Sequence, residues 1–135
     1  MAALSITAAN VGVADAAADV RIVQVGEAVT QGDPLRVSSN KYYQCNNSAA
    51  ADANVSAVAL TPGAGDEDYV VALFSGTYIV GATVTVGETY VIGDADGEIN
   101  PIGDLGSGDY VSILGVADTT TTLVFSPKAS GTVKP

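Results

Sequence analysis

The chain has 135 residues, 47% of them hydrophobic but only 6% aromatic, and a net charge of −10 from fifteen acids against five Lys and Arg. That length suits one domain with a core of small aliphatic side chains, and five scattered cations exclude a nucleic-acid interface or an anionic membrane surface. With no histidine and a single cysteine, Cys45, the chain has no Ser-His-Asp triad, no histidine-held metal and no intrachain disulfide.

In chain order, residues 2–20 are small and apolar apart from Asp15 and Asp19. Leu4, Ile6, Val11 and Val13 keep no helical period, so residues 1–19 read as an extended N-terminal arm, with those four as candidate partner contacts. A short helical turn in "ADAAAD" is the alternative, since alanine favours helix. The start has no basic region followed by a long apolar run and does not read as an export signal. No stretch reaches the length of a membrane helix.

From Val20 the pattern is strand and turn. "VRIVQV" and "PLRVS" are strands, "SSNKYYQ" a turn into a third, and "VSAVAL" a buried strand after the loop "NNSAAADAN". "TPGAGDED" is a breaker-rich loop before "YVVALFSGTYIV". The plan then repeats: "TYVIG", the turn "DADG", "EINPI", the loop "DLGSGD", "YVSILGV", the turn "ADTTTT" and "LVFS".

The repeat is also visible in two phrases. "GEAVTQGDPLRV" starts at Gly26 and "GATVTVGETYVI" starts fifty-five residues later at Gly81. Gly26, Gly32, Gly81 and Gly87 are expected as turn glycines, with Val29 and Val84 pointing inward as plugs. The expectation is an all-β fold of two related small β-barrel or sandwich-like lobes from an internal duplication. The first unit covers 20–78 and the second 79–135, in one compact body with a short C-terminal tail. A unit of that size folds alone only marginally, and a mean hydropathy of +0.32 suggests further burial by self-association.

The candidate chemical motifs are thin. "DADGEI" resembles part of a calcium loop, but Ile92 and Gly103 stand where an EF-hand needs acidic ligands, so an Asp-Gly turn is the simpler reading, with a weak surface cation at Asp94 and Asp96 as the alternative. Asp66, Glu67 and Asp68 form an acidic loop, which reads as solvated. Lys41 at a hairpin tip invites comparison with biotin and lipoyl carriers, yet its flanks, Asn40 and Tyr42, do not match theirs. Cys45 in "YYQCNN" reads as a structural side chain. No catalytic residue, cofactor site or metal site is expected.

"GEAVTQGDPLRV…NKYYQC", "VSAVALT…GDEDYVVAL", "GATVTVGETYVIG" and "GDYVSILGVADTTTTLVFSPKASG" together resemble the capsid cement, or head decoration, proteins of tailed bacteriophages, over about residues 19–131. The resemblance implies a structural, non-enzymatic protein on the outer surface of an icosahedral head, made in the host cytoplasm. Its partners would be the major capsid protein and itself, as a homotrimer at three-fold positions. Loops 46–54, 61–68 and 104–109 are weaker contact candidates. The alternative is another virion β-module, such as a head-fibre or glycan-binding accessory.

Overall fold

A computed structural model describes residues 3–135. Met1 and Ala2, the first residues of the expected arm, lie outside the described residues. The fold is all-β, with ten strands: β1 (Gly12–Val13), β2 (Asp19–Gln24), β3 (Pro34–Ser38), β4 (Lys41–Gln44), β5 (Ala57–Ala59), β6 (Tyr69–Ile79), β7 (Thr89–Ile92), β8 (Ile99–Pro101), β9 (Tyr110–Ala117) and β10 (Thr122–Val133). The only helical pieces among the described residues are two 3-10 turns, Ala8–Asn10 and Ile102–Asp104.

The strands form one curled antiparallel sheet in the order β4-β3-β5-β6-β10-β9-β7-β8, with β1 and β2 also paired to β6. β6 is the spine. Its residues 69–75 pair with β2, while Gly76–Ile79 pair with β10. Between them Gly76 holds φ +119°, and a Cβ there would sit 2.8 Å from that of Ala18. A glycine inside a strand marks such a bend. Pairing therefore assigns residues 76–78, expected in the first unit, to the second half's sheet.

The pairings β3–β4, β3–β5 and β5–β6 recur in the second half as β7–β8, β7–β9 and β9–β10. In the first half the sheet curls until Val25 bridges to Tyr42, with the Gly26 N–H donating to the Tyr42 carbonyl at 3.0 Å. The β3–β4 connection is two residues, Ser39 and Asn40, both at positive φ (52° and 68°). That is the backbone a tight hairpin needs to match strand twist.

Two apolar clusters form the interior. Val25, Val29, Leu35, Ala57, Ala59, Val70 and Ala72 fill the first half. The larger cluster holds second-half residues such as Tyr78, Val84, Ile92, Leu114 and Phe125, and also Cys45, Val58 and Leu73 from the first. Strand alternation explains the sharing: on β5, Ala57 and Ala59 face one core and Val58 the other. β5 is buried on both faces, as its uninterrupted apolar sequence predicts. Val29 and Val84 are both buried, as expected for plugs.

The last strand is longer than expected. The sequence reading ends it at Ser126, but β10 continues to Val133, pairing with Tyr110 of β9. Its register shifts between Phe125 and Lys128, around Pro127. A proline is tolerated at such an irregularity because it has no N–H to offer a ladder.

Candidate partner-binding surface

The N-terminal segment does not hang free. The Leu4 N–H donates to the Ile99 carbonyl (2.9 Å), Thr7 to Gly81 (2.7 Å) and Ala14 to Thr77 (3.0 Å), while β1 pairs with Ile79 and Tyr78 of β6. Val11 is buried, and Leu4 and Ile6 pack against the larger core. Three of the four expected contact residues thus serve this chain's own fold. Val13 alone is exposed, at 41%. The segment holds a 3-10 turn at Ala8–Asn10, the short strand β1 and, within "ADAAAD", a single turn closed by the Ala18 N–H donating to the Asp15 carbonyl at 3.2 Å.

The four singled-out glycines differ. Gly32, Gly81 and Gly87 have φ between +84° and +92°, the region where only glycine is unstrained. Gly26 does not adopt positive φ; a Cβ there would collide with the Tyr43 ring. Sequence identity between Gly26 and Gly81 thus hides two requirements, a ring crossing and a turn.

The motifs weighed for chemistry are tied up locally. Lys41 Nζ contacts Asp66 Oδ1 at 2.8 Å and lies 3.9 Å from Glu67. That neighbour holds the Lys41 ammonium above its ordinary value and the Asp66 carboxyl below its own. Asp68 accepts from the Ala64 N–H at 2.7 Å. Asp94–Glu98 is a turn, closed by Gly93 N–H to the Glu98 carbonyl at 2.8 Å with Gly97 at φ +77°. Asp96 accepts from Asn46 Nδ2 at 2.9 Å. No group of three or more His, Cys, Asp or Glu that could hold a metal occurs among the described residues.

With Asn46, residues 45 and 47 build a seam between the halves. The buried Asn47 donates through its backbone N–H to Gly93 (3.1 Å) and through Nδ2 to Ile92 (3.3 Å), and its carbonyl accepts from Tyr110 (3.0 Å). Gly97 donates to the Cys45 carbonyl at 2.9 Å. Gln44 reaches Asp33 Oδ2 at 2.7 Å, and its own N–H meets Glu27 Oε2 at 2.7 Å. Burial, opposed by hydrogen bonds from Thr30 and Gln44, pushes the Asp33 carboxyl above its ordinary value. Burial likewise pushes the Cys45 thiol up to about 12, so it is an inert packing group.

An open recess of about 540 Å³ lies between residues 5–10 and 79–83, beside Thr121. Its walls carry hydroxyl, amide and small apolar groups and no titratable side chain. The wider surface is more distinctive. Ile22 is 73% exposed, Tyr69 65% and Val86 57%, with Val20 and Val37 also exposed. Ile22 and Tyr69 lie on adjacent strands, Gln24 being the register partner of Tyr69. The fold thus exposes aliphatic residues on β2 and β3 beside the acidic turn at Asp66–Asp68.

Comparison with known protein families, curated proteins and solved structures finds no match.

Of loops 46–54, 61–68 and 104–109, the first gives Asn46 and Asn47 to the seam and leaves Ser48, Ala50, Ala51 and Asn54 exposed. Thr61 Oγ1 in the second accepts from Val71 N–H at 2.9 Å, which leaves residues 64–67 at its tip. In the third, Asp109 Oδ2 accepts from the Gly106 N–H at 2.8 Å. The exposure of Val20 and Ile22 on β2 was missed by sequence reading. Its signal was present: "VRIVQV" is apolar on both faces, more than a strand with one wet face requires.

Proposed function

We propose that this protein is a non-enzymatic cement protein of a tailed-bacteriophage head. It binds the outer surface of the icosahedral shell as a homotrimer and braces joints between major capsid protein subunits. The observation that carries the reading is the shared core: two halves of one curled sheet with the same pairing plan, joined along β6 and β5 into one body. We read the two halves as a tandem duplication of a small half-barrel unit. A body of that kind cannot hinge between its halves without exposing Leu73, Val58 and Cys45, so it transmits load instead of yielding.

The phrase-level resemblance to cement proteins supports the same conclusion. So does the charge. Carboxylates crowd the exposed turns at Asp66–Asp68 and Asp94–Asp96, and a net charge of −10 suits a particle's outer face, where it keeps particles apart. In this reading the N-terminal segment completes the fold first, and Val13 with the open side of β1 is the part left for a neighbouring protomer or the shell.

A ligand that binds the assembled shell and not its dissociated subunits stabilises the shell by mass action. Co-sedimentation tests this. The protein should pellet with expanded, undecorated heads and raise their disruption temperature, and it should not bind free major capsid protein. Equal binding to free subunits, or no effect on disruption, would overturn it.

A further inference from the structure

The two halves close differently, and the difference leaves a cavity. In the first half the Gly26 N–H donates to the Tyr42 carbonyl at 3.0 Å, so the chain closes directly on β4. The second-half counterparts are Gly81 and Ile99, because Val37 pairs with Tyr42 as Ile92 pairs with Ile99. Those two do not meet. The Ile99 carbonyl accepts from the Leu4 N–H at 2.9 Å and the Gly81 carbonyl from the Thr7 N–H at 2.7 Å, so residues 4–7 are inserted between them. The open recess of about 540 Å³ between residues 5–10 and 79–83 is a product of that insertion.

Alternation decides what the recess presents. Leu4 and Ile6 pack against the larger core, which turns Ser5 and Thr7 outward, where both are exposed. On the facing wall Val80 and Val84 are buried while Ile79 and Thr83 are exposed. The Ser5, Thr7 and Thr83 hydroxyls and the Asn10 amide therefore share one recess. None of them makes a hydrogen bond to the chain among the described residues. Elsewhere surface hydroxyls are tied down, Thr119 to Thr122 at 2.6 Å and Ser130 to the Val111 carbonyl at 2.6 Å. A few uncommitted polar groups gathered around one concavity are the usual furnishing of a small-molecule site.

The chemistry of the walls selects the ligand. No titratable side chain lines the recess, so a charged ligand would give up water with no opposite charge to meet it. The net charge of −10 repels anions at longer range as well. A wholly apolar ligand would leave the hydroxyls and the amide uncompensated. A neutral, polyhydroxylated ligand meets neither penalty. Wall hydroxyls both donate and accept, as sugar hydroxyls do, and Ile79 with the half-buried Ala82 offers apolar surface to the C–H face of a ring.

We propose that this recess is a binding site for a neutral saccharide, its ring seated on Ile79 and Ala82 and its hydroxyls bonded to the wall hydroxyls and the Asn10 amide. No aromatic ring lines the recess among the described residues, so the affinity is weak, about millimolar. The site is built within one chain and does not depend on shell binding, though copies arrayed on a shell would multiply a weak affinity.

The test is a proton–nitrogen correlation NMR titration of the full chain with methyl glucoside, methyl galactoside and N-acetylglucosamine, each to about 50 mM, which reaches millimolar dissociation constants. At least one of them should give saturable shifts confined to the amides of residues 5–10 and 79–83. Glucosamine and glucuronate, the charged analogues, should bind about fivefold more weakly or worse. Thr83→Val should weaken binding roughly fivefold, the worth of one hydrogen bond, with an unchanged spectrum elsewhere. If Thr83→Val disturbs the fold, Ser5→Ala supplies the same reading, because the Ser5 hydroxyl has no hydrogen bond to the described residues to lose. No saturable shift with any of the three neutral sugars, shifts spread over the whole surface, or equal binding of the charged analogues would overturn the proposal. So would binding that Thr83→Val and Ser5→Ala both leave unchanged.

Discussion

Gly81 and Gly87 share one backbone conformation, φ +84°, in different surroundings. A Cβ on Gly87 meets nothing within 4 Å. Gly87→Ala therefore carries only the cost of a left-handed alanine, about 1 kcal/mol. A Cβ on Gly81 would lie 2.7 Å from the Thr7 carbonyl oxygen and about as close to the Val11 and Ile6 side chains (3.0 and 3.2 Å). Residues 6–11 must then withdraw, losing the Thr7–Gly81 hydrogen bond, worth about 1 kcal/mol. They also lose part of the Val11 burial, worth roughly 1.5 kcal/mol or more. Gly81→Ala should thus cost about 3.5 kcal/mol in all, roughly 2.5 kcal/mol beyond Gly87→Ala. Guanidinium unfolding followed by circular dichroism measures both. Amide exchange at Thr7 and Ala14 should accelerate in Gly81→Ala alone. Equal destabilisation by the two substitutions, or unchanged exchange at those amides, would refute the docking of the N-terminal segment on its own chain.

Three further outcomes follow from buried groups. The Tyr78 hydroxyl is buried with no hydrogen-bond partner among the described residues, and burial raises its pKa. Tyr78→Phe should stabilise the fold by about 1 kcal/mol, a melting shift of roughly 3–4 °C; a lower melting temperature would show that the hydroxyl has a partner. The Cys45 thiol should resist iodoacetamide at about pH 8 in the folded protein and react on addition of denaturant, so rapid native alkylation would contradict its packing role. Asp33, whose carboxyl the fold holds above its unfolded value, binds its proton more tightly when folded. That gain is complete below the ordinary carboxylate range and is lost as pH rises through the raised value. The stability of Asp33→Asn relative to wild type should therefore improve between about pH 3 and pH 7; a difference that is flat or falls with pH would rule out this linkage.

Much of the strand order was legible because its signals are local. "PLRVS" predicts β3 to the residue, "SSNK" predicts the β3–β4 turn, and the apolar run around Ala57 predicts a strand buried on both faces. What failed was tertiary. Leu4, Ile6 and Val11 announce an extended segment with apolar residues to bury, but nothing in their spacing says whether the burying surface is a neighbour's or their own chain's. Gly76 sits in "FSGTY", and a lone glycine in a strand could have flagged the bend that divides β6 between two sheets. The continuation of β10 was hidden by Pro127, which reads as a stop unless the partner strand's irregular register is known.

The central claim is that this body clamps the outside of an assembled shell. Electron cryomicroscopy of undecorated phage heads mixed with the purified protein tests it most directly. The account predicts ordered trimeric density, shaped like the two fused half-barrels, at the three-fold and quasi-three-fold positions of the outer surface. Heads that emerge bare, or density scattered without relation to the lattice, would contradict it.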